Sequence, residues 1–129
     1  MIKPLIFVYG SLRRGGEAHG HLRPVAVRLG PAVVCGRLYD LGRYPAARPA
    51  RRRAERVHGE LYRLTRAAAL AALDRYEAYD PAGRTANEFR RELTPVGCAG
   101  RLLRAWVYWY DRPLRGARRL PGGVWRGRP

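Results

Sequence analysis

Leu5-Ile6-Phe7-Val8-Tyr9 is an unbroken apolar run ended by Gly10, and β-branched and aromatic residues at that density predict a short strand buried on both faces. Residues 13–23 are polar and glycine-containing, which predicts a loop or a short irregular helix. A second strand is expected from Ala32 to Tyr39, broken into a turn by Gly42 and Pro45, and the cationic stretch Arg48 to Arg53 reads as a solvated loop. From Arg56 to Leu64 the chain alternates, Val57, Gly59 and Leu61 against His58, Glu60 and Tyr62, which is the period of a half-buried strand. Ala67 to Leu73 is a run of strong helix formers, with Thr65 placed to cap it through its hydroxyl and with Asp80-Pro81 and Gly83 on its far side. Phe89 to Val96 and Arg104 to Tyr110 are further strands, the latter with aromatics on both faces. The remaining residues, 113–129, are rich in proline, glycine and arginine and are expected to wrap the surface or to be partly disordered. About five strands with one clear helix indicate an α+β domain on a curled mixed sheet.

The helix carries the most informative position. Leu70, Leu73 and Glu77 fall on one stripe at i, i+3 and i+7, with Ala69 and Tyr76 beside it, while Asp74 and Arg75 are expected to point away. A carboxylate on an apolar stripe loses hydration, so it either shifts its pKa or has a partner. The alternative is that the helix frays after Tyr76 and Glu77 turns to solvent. The second candidate is the turn Tyr9-Gly10-Ser11-Leu12-Arg13. Gly10 allows close approach and unusual dihedrals, and consecutive amides after a strand can converge on a small carboxylate. The turn lacks the lysine of a phosphate loop and the second glycine of a nucleophile elbow. A plain strand-to-loop turn is the bland alternative.

Length and charge limit the rest. A chain of 129 residues suits one domain with one core and one pocket. The net charge of +16 suggests a polyanion, yet Lys3 is the only lysine and Ser11 the only serine. That skew resembles GC-rich coding bias, so the arginines argue weakly for nucleic acid. Cys35 and Cys98 lack CxxC spacing and read as two packed thiols. Without an apolar leader or a membrane-length apolar run, a cytoplasmic protein is expected, with no membrane association. His19-Gly20-His21 offers two ligands at most, too few for a metal site, and no spacing makes Ser11 a nucleophile with His19, His21 or His58. Asp40 and Tyr44 either line a pocket rim or shape a turn.

Four stretches, Phe7 to Arg13, Gly36 to Pro45, Val57 to Tyr62 and Leu73-Asp74-Arg75-Tyr76-Glu77, together resemble the γ-glutamylcyclotransferase-like, or AIG2-like, family in order and spacing. The resemblance runs from residue 4 to about residue 110, dividing the chain into a domain at 1–112 and an Arg/Pro/Gly-rich tail at 113–129. It implies a small mixed β-barrel flanked by helices, with a pocket between the turn and the glutamate. It further implies a cofactor-independent enzyme that cyclises a small γ-glutamyl compound to 5-oxoproline and releases an amine. In that family the turn matching Tyr9, Gly10, Ser11 and Leu12 binds the glutamyl head, and the glutamate matching Glu77 accepts the proton. Phe89 departs from the family's frequent YxR pattern, whereas Arg91 keeps its arginine. A monomer or homodimer is expected. The alternative function is a non-catalytic basic module that binds nucleic acid or another polyanion on the same fold.

Overall fold

The computed structural model describes residues 3–10, 19–77, 79–83 and 87–126 of the chain. Its elements in order are β1 (Leu5–Val8), α1 (His19–Leu22) with a 3-10 turn at Arg23–Val25, β2 (Ala26–Asp40), β3 (Pro45–Pro49), β4 (Arg56–Leu64), α2 (Ala68–Tyr76), β5 (Phe89–Cys98), β6 (Arg101–Tyr110) and β7 (Arg118–Leu120). The apolar run of β1 is buried at Ile6, Phe7 and Val8, as a strand covered on both faces must be. It pairs antiparallel with β4 and parallel with β6. β4 pairs with β2 and β6 with β5, and Ala32 and Val33 of β2 close on Cys98 and Gly97 of β5. The result is a closed five-stranded mixed barrel, β2-β4-β1-β6-β5, matching the expected fold class; closure leaves none of these five with a free edge at the seam.

Strand alternation sorts the core into two layers. Phe7, Val34, Val57, Leu61, Val96, Val107 and Trp109 form one cluster, the barrel interior. Their neighbours Ile6, Val8, Tyr62, Tyr108 and Tyr110 face outward and are covered by Leu22 of α1 and Ala69 and Leu73 of α2. Gly59 is required where β4 crosses the end of β1: a Cβ there would lie 2.2 Å from the Val8 carbonyl oxygen.

Four expectations need correction. Pro45–Pro49, read as a turn running into a cationic loop, is strand β3, paired with Gly36 to Asp40 of β2. It occupies one side of β2 only, which is how a strand bounded by two prolines is tolerated. The segment after 112, expected to wrap the surface or be partly disordered, does run over the surface but also supplies β7, which pairs with Leu38 to Asp40, and inserts Trp125 into the barrel interior at 7% exposure. There the Gly123 carbonyl accepts the His58 amide at 2.8 Å, and the approach is so close that a Cβ at Gly123, whose φ is +67°, would sit 1.8 Å from the Arg56 oxygen. α2 starts at Ala68 without a side-chain cap, because the Thr65 hydroxyl donates to the Val25 carbonyl at 3.1 Å instead. Of the two thiols, Cys98 is packed but Cys35 is exposed on the outer side of β2. Among the described residues no helix is long and apolar enough to cross a membrane.

Candidate active site

At the end of β1, opposite the end of α2, the barrel leaves a cavity of about 230 Å³. Its walls are Phe7, Val8, Tyr9 and Gly10 from β1 and the turn, Tyr44 and Pro45 before and at the start of β3, Tyr76 and Glu77 from α2, and Glu88, Phe89 and Tyr108 from β5 and β6. Tyr9 and Gly10 are therefore in the cavity wall, while Ser11 and Leu12 lie outside the described residues. The reason for glycine at 10 is space rather than dihedral freedom: it does not adopt a positive φ, but a Cβ would stand 3.1 Å from the Pro45 ring.

Helix α2 ends at Tyr76, and Glu77 is its C-cap, with its amide donating to the Leu73 carbonyl at 2.9 Å. The chain turns there, as the fraying alternative supposed, but the side chain enters the cavity rather than solvent. The residue keeps a partial opening to the outside, yet its carboxyl is almost wholly surrounded by protein. Desolvation, reinforced by the charges of Glu88 and Asp74, pushes its pKa up to about 8. The negative end of the α2 dipole acts in the same direction.

Tyrosines surround this carboxyl. The Tyr9 hydroxyl donates to the Tyr108 carbonyl at 2.5 Å, and the Tyr108 hydroxyl donates to Asp74 Oδ1 at 2.6 Å. Burial, and then nearby carboxylates, drive both phenols far above their ordinary pKa, so each remains a donor at any physiological pH. On the far wall the Tyr44 hydroxyl donates to Glu88 Oε2. Burial and that bond push Tyr44 up to about 12. Asp40, by contrast, shapes a turn, accepting the Gly42 amide at 2.7 Å, while Tyr110 packs edge-on against Phe89.

Asp74 was expected to point away and does not: it is 5% exposed and accepts Arg91 Nε at 2.7 Å as well as Tyr108. At 100° per residue it stands only about 40° from Leu70, within the stripe, and its polarity rather than its angle put it outside. Tyr76, placed beside the stripe, is 42% exposed and forms the cavity lip. Arg91 lies over the Trp106 ring at 4.2 Å, which fixes its guanidinium. Sequence reasoning also missed Glu88, a polar residue just before a strand that nothing in local spacing marks. Among the described residues no three His, Cys, Asp or Glu are grouped as a metal would need.

A carboxyl whose proton affinity matches an amine, set in a small tyrosine-walled cavity beside a backbone turn, can take a proton from an amine and return it. The family described as gamma-glutamyl cyclotransferase, AIG2-like, matches residues 6–127. The gamma-glutamylcyclotransferase family protein YtfP of Escherichia coli K12 is 39% identical over 126 residues, covering 95% of this chain and 96% of that protein. A gamma-L-glutamyl-butirosin B gamma-glutamyl cyclotransferase of Niallia circulans is 32% identical over 84% of this chain and 68% of its own. The crystal structure of an AIG2-like protein from Mus musculus superposes with a TM-score of 0.72, covering 100% of this chain and 97% of the other, at 22% identity, a likeness of fold.

Proposed function

The chain belongs to the gamma-glutamyl cyclotransferase, AIG2-like family, and from that premise we propose that it cyclises a γ-glutamyl amino acid or amine to 5-oxoproline, with Glu77 moving the proton. The observation that carries this reading is the desolvated Glu77 carboxyl in the cavity at the Tyr9-Gly10 turn.

The α-amine of the substrate attacks its own γ-carbonyl carbon, forming the ring C–N bond. The bond from that carbon to the leaving amine then breaks, and the leaving nitrogen departs with the proton the α-amine gave up. Nucleophile and electrophile share one molecule, so a pocket that holds the chain folded supplies several kcal/mol by removing rotational freedom before reaction. Glu77 takes the proton from the attacking nitrogen and delivers it to the leaving one. An ordinary Glu, near 4.3, would be about 3.5 units too weak a base for an α-amine near 8, a deficit of roughly 5 kcal/mol. At about 8, Glu77 has lost that deficit. The main-chain amides of Gly10, Ser11 and Leu12 hold the α-carboxylate in this reading, and no cofactor takes part.

The test is release of 5-oxoproline from a panel of γ-glutamyl amino acids and amines. Because Glu77 must be ionised to accept a proton, kcat/KM is expected to rise with pH through about 8, since this parameter reports the free enzyme. An acidic limb near 4.5 would instead show a solvated carboxylate and remove Glu77 from the role. Steep salt-dependent retention on DNA or RNA, with no product from any substrate in the panel, would favour the polyanion-binding alternative that the charge of +16 suggests.

A further inference from the structure

The cavity contains a second carboxylate for which the reaction above has no use. Glu88 and Glu77 both line it, and each lies close enough that Glu88 is the largest charge acting on Glu77. The other acid nearby, Asp74, has its own cation in Arg91. Among the described residues lining the cavity there is no Lys, Arg or His, in a chain with 26 Lys and Arg. The described part of the lining is thus acidic, in a strongly basic protein.

Glu88 is also held in place. Its backbone carbonyl accepts the Asp111 amide at 2.8 Å, which ties it to the end of β6, and its carboxylate accepts the Tyr44 hydroxyl. Tyr44 is in turn set against Phe89, with ring centroids 6.1 Å apart, and Phe89 against Tyr110 at 5.3 Å. A carboxylate held by a neutral donor rather than by a cation can still pair with a cationic ligand.

We propose that Glu88, oriented by Tyr44, is a specificity-determining residue that seats a primary ammonium of the ligand beside Glu77, so that the cavity selects compounds whose α-amine is free. This rests on the reading that the cavity takes a γ-glutamyl head. An ammonium has three N–H bonds; Glu88 accepts one of them, and when Glu77 is ionised it takes the proton of another, which frees the lone pair while Glu88 continues to hold the nitrogen. Glu88 therefore aims the nucleophile. Acylated or des-amino analogues leave Glu88 without that cation.

Equilibrium binding of L-norleucine and hexanoate, measured calorimetrically at neutral pH, tests this without any reaction, because neither compound has a γ-carbonyl. The parent protein is expected to bind L-norleucine about tenfold or more tightly than hexanoate. Glu88→Gln is expected to lose about tenfold or more for L-norleucine and nothing for hexanoate, and Tyr44→Phe to lose a smaller factor, again for L-norleucine alone. An unchanged norleucine-to-hexanoate ratio in folded Glu88→Gln overturns the proposal; should that variant not fold, an unchanged ratio in Tyr44→Phe does so. Absence of norleucine binding to the parent overturns it as well. Selectivity lost through Glu88 in a chain that releases no 5-oxoproline upholds this subsite and refutes the reaction alone. Selectivity untouched in a chain that does release it refutes the subsite alone.

Discussion

Glu77→Gln is expected to lower turnover by about 10²–10⁴-fold while leaving ligand affinity within a few-fold, because an amide of the same shape fills the cavity but cannot accept the proton. The same substitution is expected to stabilise the fold. Glu77 has a folded-state pKa raised to about 8 from 4.5, so its favourable contribution is complete below about 4.5 and is lost as pH rises through about 8. At pH 7 the native state holds a proton that the unfolded chain has largely given up, a handicap on the order of 3 kcal/mol, at about 1.4 kcal/mol per unit. Glutamine has no such handicap. A gain of roughly 10 °C in Tm at pH 7, shrinking towards pH 4, should therefore accompany the loss of rate. Turnover within tenfold of the parent would end the catalytic assignment, and a lower Tm at pH 7 would show that the carboxyl is not desolvated.

How far this site could be read beforehand follows from which contacts are local. β1, β4 and α2 announce themselves through runs and periods internal to each segment, and Glu77 is found because an acid on an apolar stripe contradicts its neighbours. Glu88 contradicts nothing around it: Asn87-Glu88 before Phe89 looks like an ordinary polar strand entry, and only closure of β2 and β3 brings Tyr44 from 44 residues away to its carboxylate. Asp74 is a similar case, since its cation stands 17 residues on, in β5. β3 and β7 are short strands of alanine, proline and arginine that add to one side of β2, so their pairing depends on a partner rather than on their own pattern. Trp125 completes the barrel interior from a segment whose composition is that of a loop, because one large ring suffices to fill the space and carries no period.

Arg91→Met is expected to be the most destabilising of the single substitutions considered. Asp74 and Arg91 are both largely shielded, at 6% and 17% side-chain exposure, and the guanidinium is pinned over Trp106. Methionine keeps much of the stem packing but leaves Asp74 with the Tyr108 hydroxyl as donor in place of a cation, and removing one partner of a buried pair costs about 3–5 kcal/mol. In a domain whose total stability is about 5–15 kcal/mol, that is a large share, and it corresponds to a drop in Tm of roughly 10–20 °C. Asp74→Leu combined with Arg91→Met should recover much of the loss, because no uncompensated charge then remains inside. Rate should not recover with it. Asp74 ties the last turn of α2 to β5 and β6, three residues before Glu77, so without that tie the carboxyl drifts from the attacking nitrogen and kcat is expected to stay down about tenfold or more in the double variant. A single variant melting within about 2 °C of the parent, on the scale where each kcal/mol moves Tm by several degrees, would mean that solvent already screens Asp74.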